Sequence, residues 1–257
     1  MQNAGFTICF QTNRIINFDE NYFWKEIMSH HEIIEMFSPP WWRFLFFTGI
    51  VAAAFILLGK KNPALKTRIR IFAGVALISV AVLLHIYLAY LGKWQLQTSL
   101  PLQLCSMSGV LSGIVLLWRN QIMYELILYW GIPGAFYSLL TPEMTQGSGR
   151  LFIYEYYISH GGIIFSALYL SIVFQMSPRK HSWLKIFLYS QFLLPVVGLA
   201  DYILNANYMY LREKPEVENP FIIGEWPWYI LGLEAAMLLH FYLVYLPFYF
   251  RKNKPEG

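Results

Sequence analysis

Charge is what this sequence has least of. Asp, Glu, Lys and Arg make up 13% of its 257 residues, about half the share a soluble domain carries. Cysteine is nearly absent: Cys9 and Cys105 are the two present, which excludes a disulfide-stapled secreted scaffold. The net charge of +4 is spread over short connections, so nothing resembles a nucleic-acid surface. The first forty residues lack the basic, apolar and small-residue order of a cleavable signal peptide. Hydrophobic residues, by contrast, reach 57% and aromatics 18%, with a mean hydropathy of +0.43. That aromatic content excludes a disordered chain, and the whole composition implies one multi-span unit in a bilayer.

A helix crossing the hydrocarbon layer needs about 20 mostly apolar residues. Seven segments meet that measure: Trp41–Leu58, Ile71–Leu91, Leu100–Trp118, Gln121–Leu140, Leu151–Gln175, Trp183–Leu204 and Trp226–Phe250. Their apolar residues do not alternate strictly as lipid-facing barrel strands would, so the expected fold is an all-α polytopic bundle of about seven transmembrane helices. Pro133 and Pro195, each near a glycine (Gly134, Gly198), should kink the fourth and sixth spans. Three parts follow: an N-terminal extracytoplasmic or interfacial segment (1–40), the bundle (41–250) and a cytoplasmic tail (251–257). Within the first part, Phe23, Ile27, His31, Ile34 and Phe37 fall at helical spacing with Lys25, Glu26, Glu32 and Glu35 between them. That pattern predicts an amphipathic helix, on the membrane surface or packed against the bundle.

Basic residues set the orientation. With seven spans, the side holding the first, third and fifth connections and the C-terminus carries twelve of the nineteen Lys and Arg residues, and the opposite side carries ten of the fifteen acids. The N-terminus is expected outside and the C-terminus in the cytoplasm, with the chain a multi-pass membrane protein.

Ionisable groups inside a bilayer are costly and mark candidate sites. His85, Gln103, Cys105, Glu155, His160, Asp201 and Glu234 all fall in the outer half of their spans, at the level where Asn205 and Asn207 begin the longest connection. One shared polar cavity explains that layering; local pairing of each group with a neighbouring helix is the simpler alternative. Glu125 and His240 lie outside the layer and read as packing or interface groups. Ligand-spaced His pairs in the bundle, CxxC, GxSxG and a lysine in the interior of a span are all missing, so no metal or cofactor is expected. The nucleophile left is Cys105, with His160 or His85 as its base, although a lone cysteine in an apolar helix is commonly an inert small hydrophobe.

Several strings then combine into a resemblance: LPLQLCSMSGVL (100–111), YWGIPGAFYSLLTP (129–142), SHGGII (159–164), NANYMYLREKP (205–215) and WPWYILGLE (226–234). Over about residues 40–250 the chain resembles the YwaF-like family of bacterial integral membrane proteins. Its eukaryotic relatives include a multi-pass phospholipid acyltransferase, and androgen-induced-type membrane lipid hydrolases are more distant. The resemblance implies a cysteine nucleophile after Leu-Pro-Leu, here Cys105, and a histidine on a later helix, here His160. The chain departs from the family pattern at Gln103, where histidine is common, and at Ser106, where aspartate is.

The resemblance implies a membrane-embedded acyltransferase or hydrolase that forms an acyl-thioester on Cys105 from a phospholipid and passes it to a lysophospholipid or water. Asp201 or Glu155 would orient His160, while Gln103, His85 or Asn205 would bind the oxyanion or the head group. The alternative is a proton-coupled transporter or small-molecule-binding protein using Glu155, Asp201, Glu234 and His85.

Overall fold

A computed structural model describes residues 32–214 and 222–252. Cys9 and most of the expected N-terminal helix lie outside the described residues. The part of that segment that is described is not helical. Glu32–Ile33 (β1) pairs antiparallel with Glu143–Met144 (β2), and the Ile34 amide donates to the Pro142 carbonyl at 3.1 Å. Pairing with a connection of the bundle satisfies these backbone groups, so Ile34 and Phe37 do not continue a helix.

The helices are α1 (Pro39–Lys61), α2 (Pro63–Tyr90), α3 (Leu104–Leu117), α4 (Gln121–Leu126), α5 (Ile132–Leu140), α6 (Arg150–Ile172), α7 (Ser182–Leu204) and α8 (Trp228–Lys252). Four of them, α1, α2, α7 and α8, are long and apolar enough to cross a membrane, which makes this an all-α membrane bundle. A π-helical turn, Ile127–Gly131, joins α4 to α5. Pro133 has no N–H and its ring crowds the carbonyl one turn back; the wider turn accommodates it, so the expected kink takes the form of a π-bulge.

Successive helices run between two ends of the molecule, named here by Cys105 and Phe174. Small residues let them approach. A Cβ on Gly161 of α6 would lie 2.2 Å from Thr48 Cγ2 of α1, and one on Gly162 would lie 2.3 Å from Leu77 Cδ2 of α2, so α6 is wedged between both. The largest core cluster contains Tyr124, Tyr129, Trp130, Tyr169 and Phe241. Serines satisfy three of these rings: Tyr124 Oη meets Ser171 Oγ at 2.8 Å, Tyr129 Oη meets Ser182 Oγ at 2.8 Å, and Trp130 Nε1 donates to Ser190 Oγ at 2.8 Å.

Helix ends are capped from neighbouring elements. Trp41 Nε1 donates to the carbonyls of Leu139 and Leu140 at the end of α5, both at 3.0 Å. Arg70 Nη1 donates to the carbonyls of Leu116 and Leu117 at the end of α3, where a cation also suits the helix dipole.

Candidate functional site

The third expected span begins four residues late. Leu100–Gln103 is a turn in which the Leu102 amide bonds the Leu100 carbonyl at 2.8 Å, and Gln103 is an extended N-cap without a side-chain capping bond. A local and a long-range cause combine: Pro101 has no N–H, and the Gln103 Oε1 accepts from the Met209 amide at 2.9 Å instead of folding back on its own helix. Cys105 is therefore the second residue of α3. The first backbone bond there runs from the Met107 amide to the Gln103 carbonyl. The N–H groups of Leu104, Cys105 and Ser106 are left without a helical or capping partner among the described residues.

Three helices meet at the half-buried Cys105. Its Sγ lies 3.8 Å from Ser138 Oγ of α5, and a Cβ on Gly134, one turn earlier, would lie 3.2 Å from the same sulfur. The Ser138 carbonyl accepts from Tyr156 Oη of α6 at 2.8 Å. The Tyr156 ring in turn packs on the imidazole of His160, with centroids 4.2 Å apart. Cys105 and His160 thus share one junction through Ser138 and Tyr156, with no direct hydrogen bond between them among the described residues. His160 Nδ1 donates to the Tyr156 carbonyl at 2.8 Å. A carbonyl only accepts, so Nδ1 carries the ring proton and Nε2 is the basic nitrogen. That carbonyl, rather than Asp201 or Glu155, orients the ring.

The remaining polar residues of the layer have local partners. Trp94 Nε1 donates to His85 Nδ1 at 3.1 Å, which occupies the nitrogen that His85 would need as a base. Ser159 donates to Glu155 Oε1 at 2.5 Å within α6, and Gln191 donates to Glu234 between α7 and α8. Asp201 is fully buried and its Oδ1 accepts from the Tyr208 amide at 2.7 Å. Asn205 ends α7 in the left-handed region and its Oδ1 accepts from Arg212 at 2.9 Å. Glu125 is buried in an ion pair with Arg179 at 2.6 Å, and its carboxylate holds the Arg179 guanidinium above its ordinary pKa. His240 meets Tyr137 Oη at 2.9 Å beside an apolar groove of about 270 Å³ lined by Ile132, Pro133, Phe136, Leu243 and Val244.

Gln103 and Asp201 therefore hold down the connection after α7. The same strap is tied by Tyr208 Oη, which donates to the Leu96 carbonyl at 2.8 Å and accepts from the Leu100 amide at 2.9 Å. Burial pushes the Tyr208 phenol up. Met209 and Tyr210 both have positive φ, 55° and 56°, which is uncommon for non-glycine residues. The Gln103 contact to Met209 and a hydrogen bond from Tyr229 Oη to the Tyr210 carbonyl at 2.5 Å hold them there.

Sequence reasoning did not single out Ser138 or this strap geometry, although both lie within quoted strings (129–142 and 205–215), because a string does not say which side chains meet. It also missed Ser108 and Ser112, buried on α3 below Cys105 with hydroxyls that find no partner among the described residues. Their spacing from Cys105, three and seven residues, was the available signal.

No solved structure matches the chain. An uncharacterized protein of Treponema pallidum (strain Nichols) is 26% identical over 209 residues, covering 77% of this chain and 83% of that one. The TMEM164 family model matches residues 7–245, nearly the whole bundle with the Cys105 junction inside it. By that match the chain belongs to the TMEM164 family, a family of membrane proteins.

Proposed function

We propose that this protein is a membrane-embedded phospholipid acyltransferase or lipid hydrolase, with Cys105 as nucleophile and His160 as base. The observation that carries this reading is the position of Cys105: in the first turn of α3, among three uncapped N–H groups and at the same junction as a histidine whose tautomer is set by a backbone carbonyl. The YwaF-like motif resemblance, with its relation to a phospholipid acyltransferase, supports it.

In this mechanism His160 Nε2 takes the thiol proton and the sulfur attacks the ester carbonyl carbon. The oxyanion develops beside the N–H groups of Leu104, Cys105 and Ser106, which are electropositive and already oriented. Collapse expels the lysophospholipid alkoxide, which takes the proton from Nε2 and leaves an acyl-thioester. A second lysophospholipid hydroxyl, or water, then gives its proton to Nε2 and attacks the thioester. The proton returns to the departing sulfur. The free protein shows no Cys105–His160 hydrogen bond, and such contacts commonly tighten only when substrate binds.

In this reading all seven helical passes cross a bacterial plasma membrane, counting α4, the π turn and α5 as one. The N-terminus is outside and the Phe174 end cytoplasmic. The excess of Lys and Arg at that end supports this orientation.

Intact-protein mass spectrometry after incubation with mixed phospholipids tests the chemistry. Wild type is expected to gain one hydroxylamine-sensitive acyl group. Cys105→Ser is expected to gain none while remaining folded, and His160→Ala to acylate far more slowly. Acylation that persists in Cys105→Ser removes the nucleophile assignment.

A further inference from the structure

At the Phe174 end three cations converge on one ring. Lys66 Nζ lies 4.5 Å from the Phe174 centroid, Arg119 Cζ 5.0 Å and Arg70 Cζ 5.7 Å. They come from the first turns of α2 and from the turn between α3 and α4, so folding draws them together. Like charges at such range repel, and one phenyl face is a small compensation for three of them. No carboxylate pairs with any of the three among the described residues. Glu125, the acid at this end, is engaged by Arg179.

The guanidinium of Arg70 is held in place by its Nη1 bonds to the carbonyls of Leu116 and Leu117. That leaves its Nε–H buried and without a partner among the described residues, although buried donors are nearly always satisfied. A fixed arginine with a spare buried donor, flanked by two further cations, is what a phosphate oxygen requires.

We infer that Lys66, Arg70 and Arg119 around Phe174 form a binding site for the phosphate of an anionic membrane lipid. A lipid is favoured over a free anion by the surroundings. Ile71, next to Arg70 on α2, and Trp118, next to Arg119 in the adjoining turn, are exposed, apolar surface along which acyl chains lie while the phosphate stays at the level of the basic residues. The site is independent of the Cys105 chemistry.

Native mass spectrometry of the full chain, released from detergent micelles containing phosphatidylglycerol or phosphatidylcholine, tests it. Wild type is expected to retain one phosphatidylglycerol preferentially. Lys66→Gln/Arg119→Gln, whose side chains cap no helix, is expected to weaken retention about thirty-fold. Arg119→Gln alone, on an exposed turn, should weaken it about five-fold and serves if the double variant does not fold. Lys60→Gln/Lys61→Gln removes equal charge from the exposed end of α1 and should leave retention unchanged. An equal loss in that control, equal retention of phosphatidylcholine, or displacement of phosphatidylglycerol by millimolar inorganic phosphate would each overturn the assignment.

Discussion

At the Cys105 end, Asp201, Gln103 and Tyr208 hold a strained connection over the start of α3 through hydrogen bonds to backbone amides and carbonyls. At the Phe174 end the corresponding positions carry Lys66, Arg70 and Arg119 around one ring, and Arg179 paired with Glu125. Directional hydrogen bonds fix geometry to a few tenths of an ångström, which suits the alignment of sulfur, base and oxyanion that the proposed mechanism requires. Charges act over longer range with less angular demand, which suits anchoring to a layer of lipid head groups. The two ends should therefore fail in different ways when perturbed.

The largest effect is expected from Glu125→Gln. The native carboxylate accepts from Gln121, from the Arg179 amide and from Nε and Nη2 along one edge of the Arg179 guanidinium. Arg179 is 49% exposed while Glu125 is 1% exposed, so the loss should fall below that of a fully buried pair, at about 3 kcal/mol. Thermal unfolding in detergent checks it. The deficit should leave the Cys105 end intact, with acylation per folded molecule unchanged.

Asp201→Ala sharpens the contrast from the other side. It strips the Tyr208 amide of its acceptor and should cost about 2 kcal/mol, expressed locally. Limited proteolysis is expected to cut within residues 205–214 well before global unfolding. Simultaneous loss of the whole bundle would show that the strap is part of the core rather than a separate tie.

Tyr156→Phe is the mildest change, removing the bond to the Ser138 carbonyl while keeping the ring on His160. About 1 kcal/mol of stability should be lost, too little to disturb the fold. The acylation rate should fall all the same, because Ser138 and His160 are then no longer tied together. An unchanged rate would mean that the contact matters for packing alone.

Much of the helical frame was legible in the sequence. Each of the expected spans contains a helix, because apolar run length is a one-dimensional property and a bilayer filters for it directly. The start of α3 was not legible, since it depends on Gln103 meeting Met209, a partner more than a hundred residues away. The same holds for Glu32–Ile33, whose helical spacing yielded to the edge offered by Glu143–Met144. Glu155, Asp201, Glu234 and His85 were visible as costly polar groups at one depth. Their local pairing was not, because depth along a helix says nothing of the direction in which a side chain points.

The sequence by itself determined that this is a membrane protein, where its helices run, and that Cys105 and His160 stand at a similar level. Those facts follow from composition and from the fixed rise of a helix. Only the tertiary structure decided which side chains meet: that Ser138 and Tyr156 join the cysteine to the histidine, that His85 is turned toward Trp94, and that three cations gather on Phe174. Such contacts depend on helix rotation and close packing between segments far apart in the chain, and no local pattern encodes them.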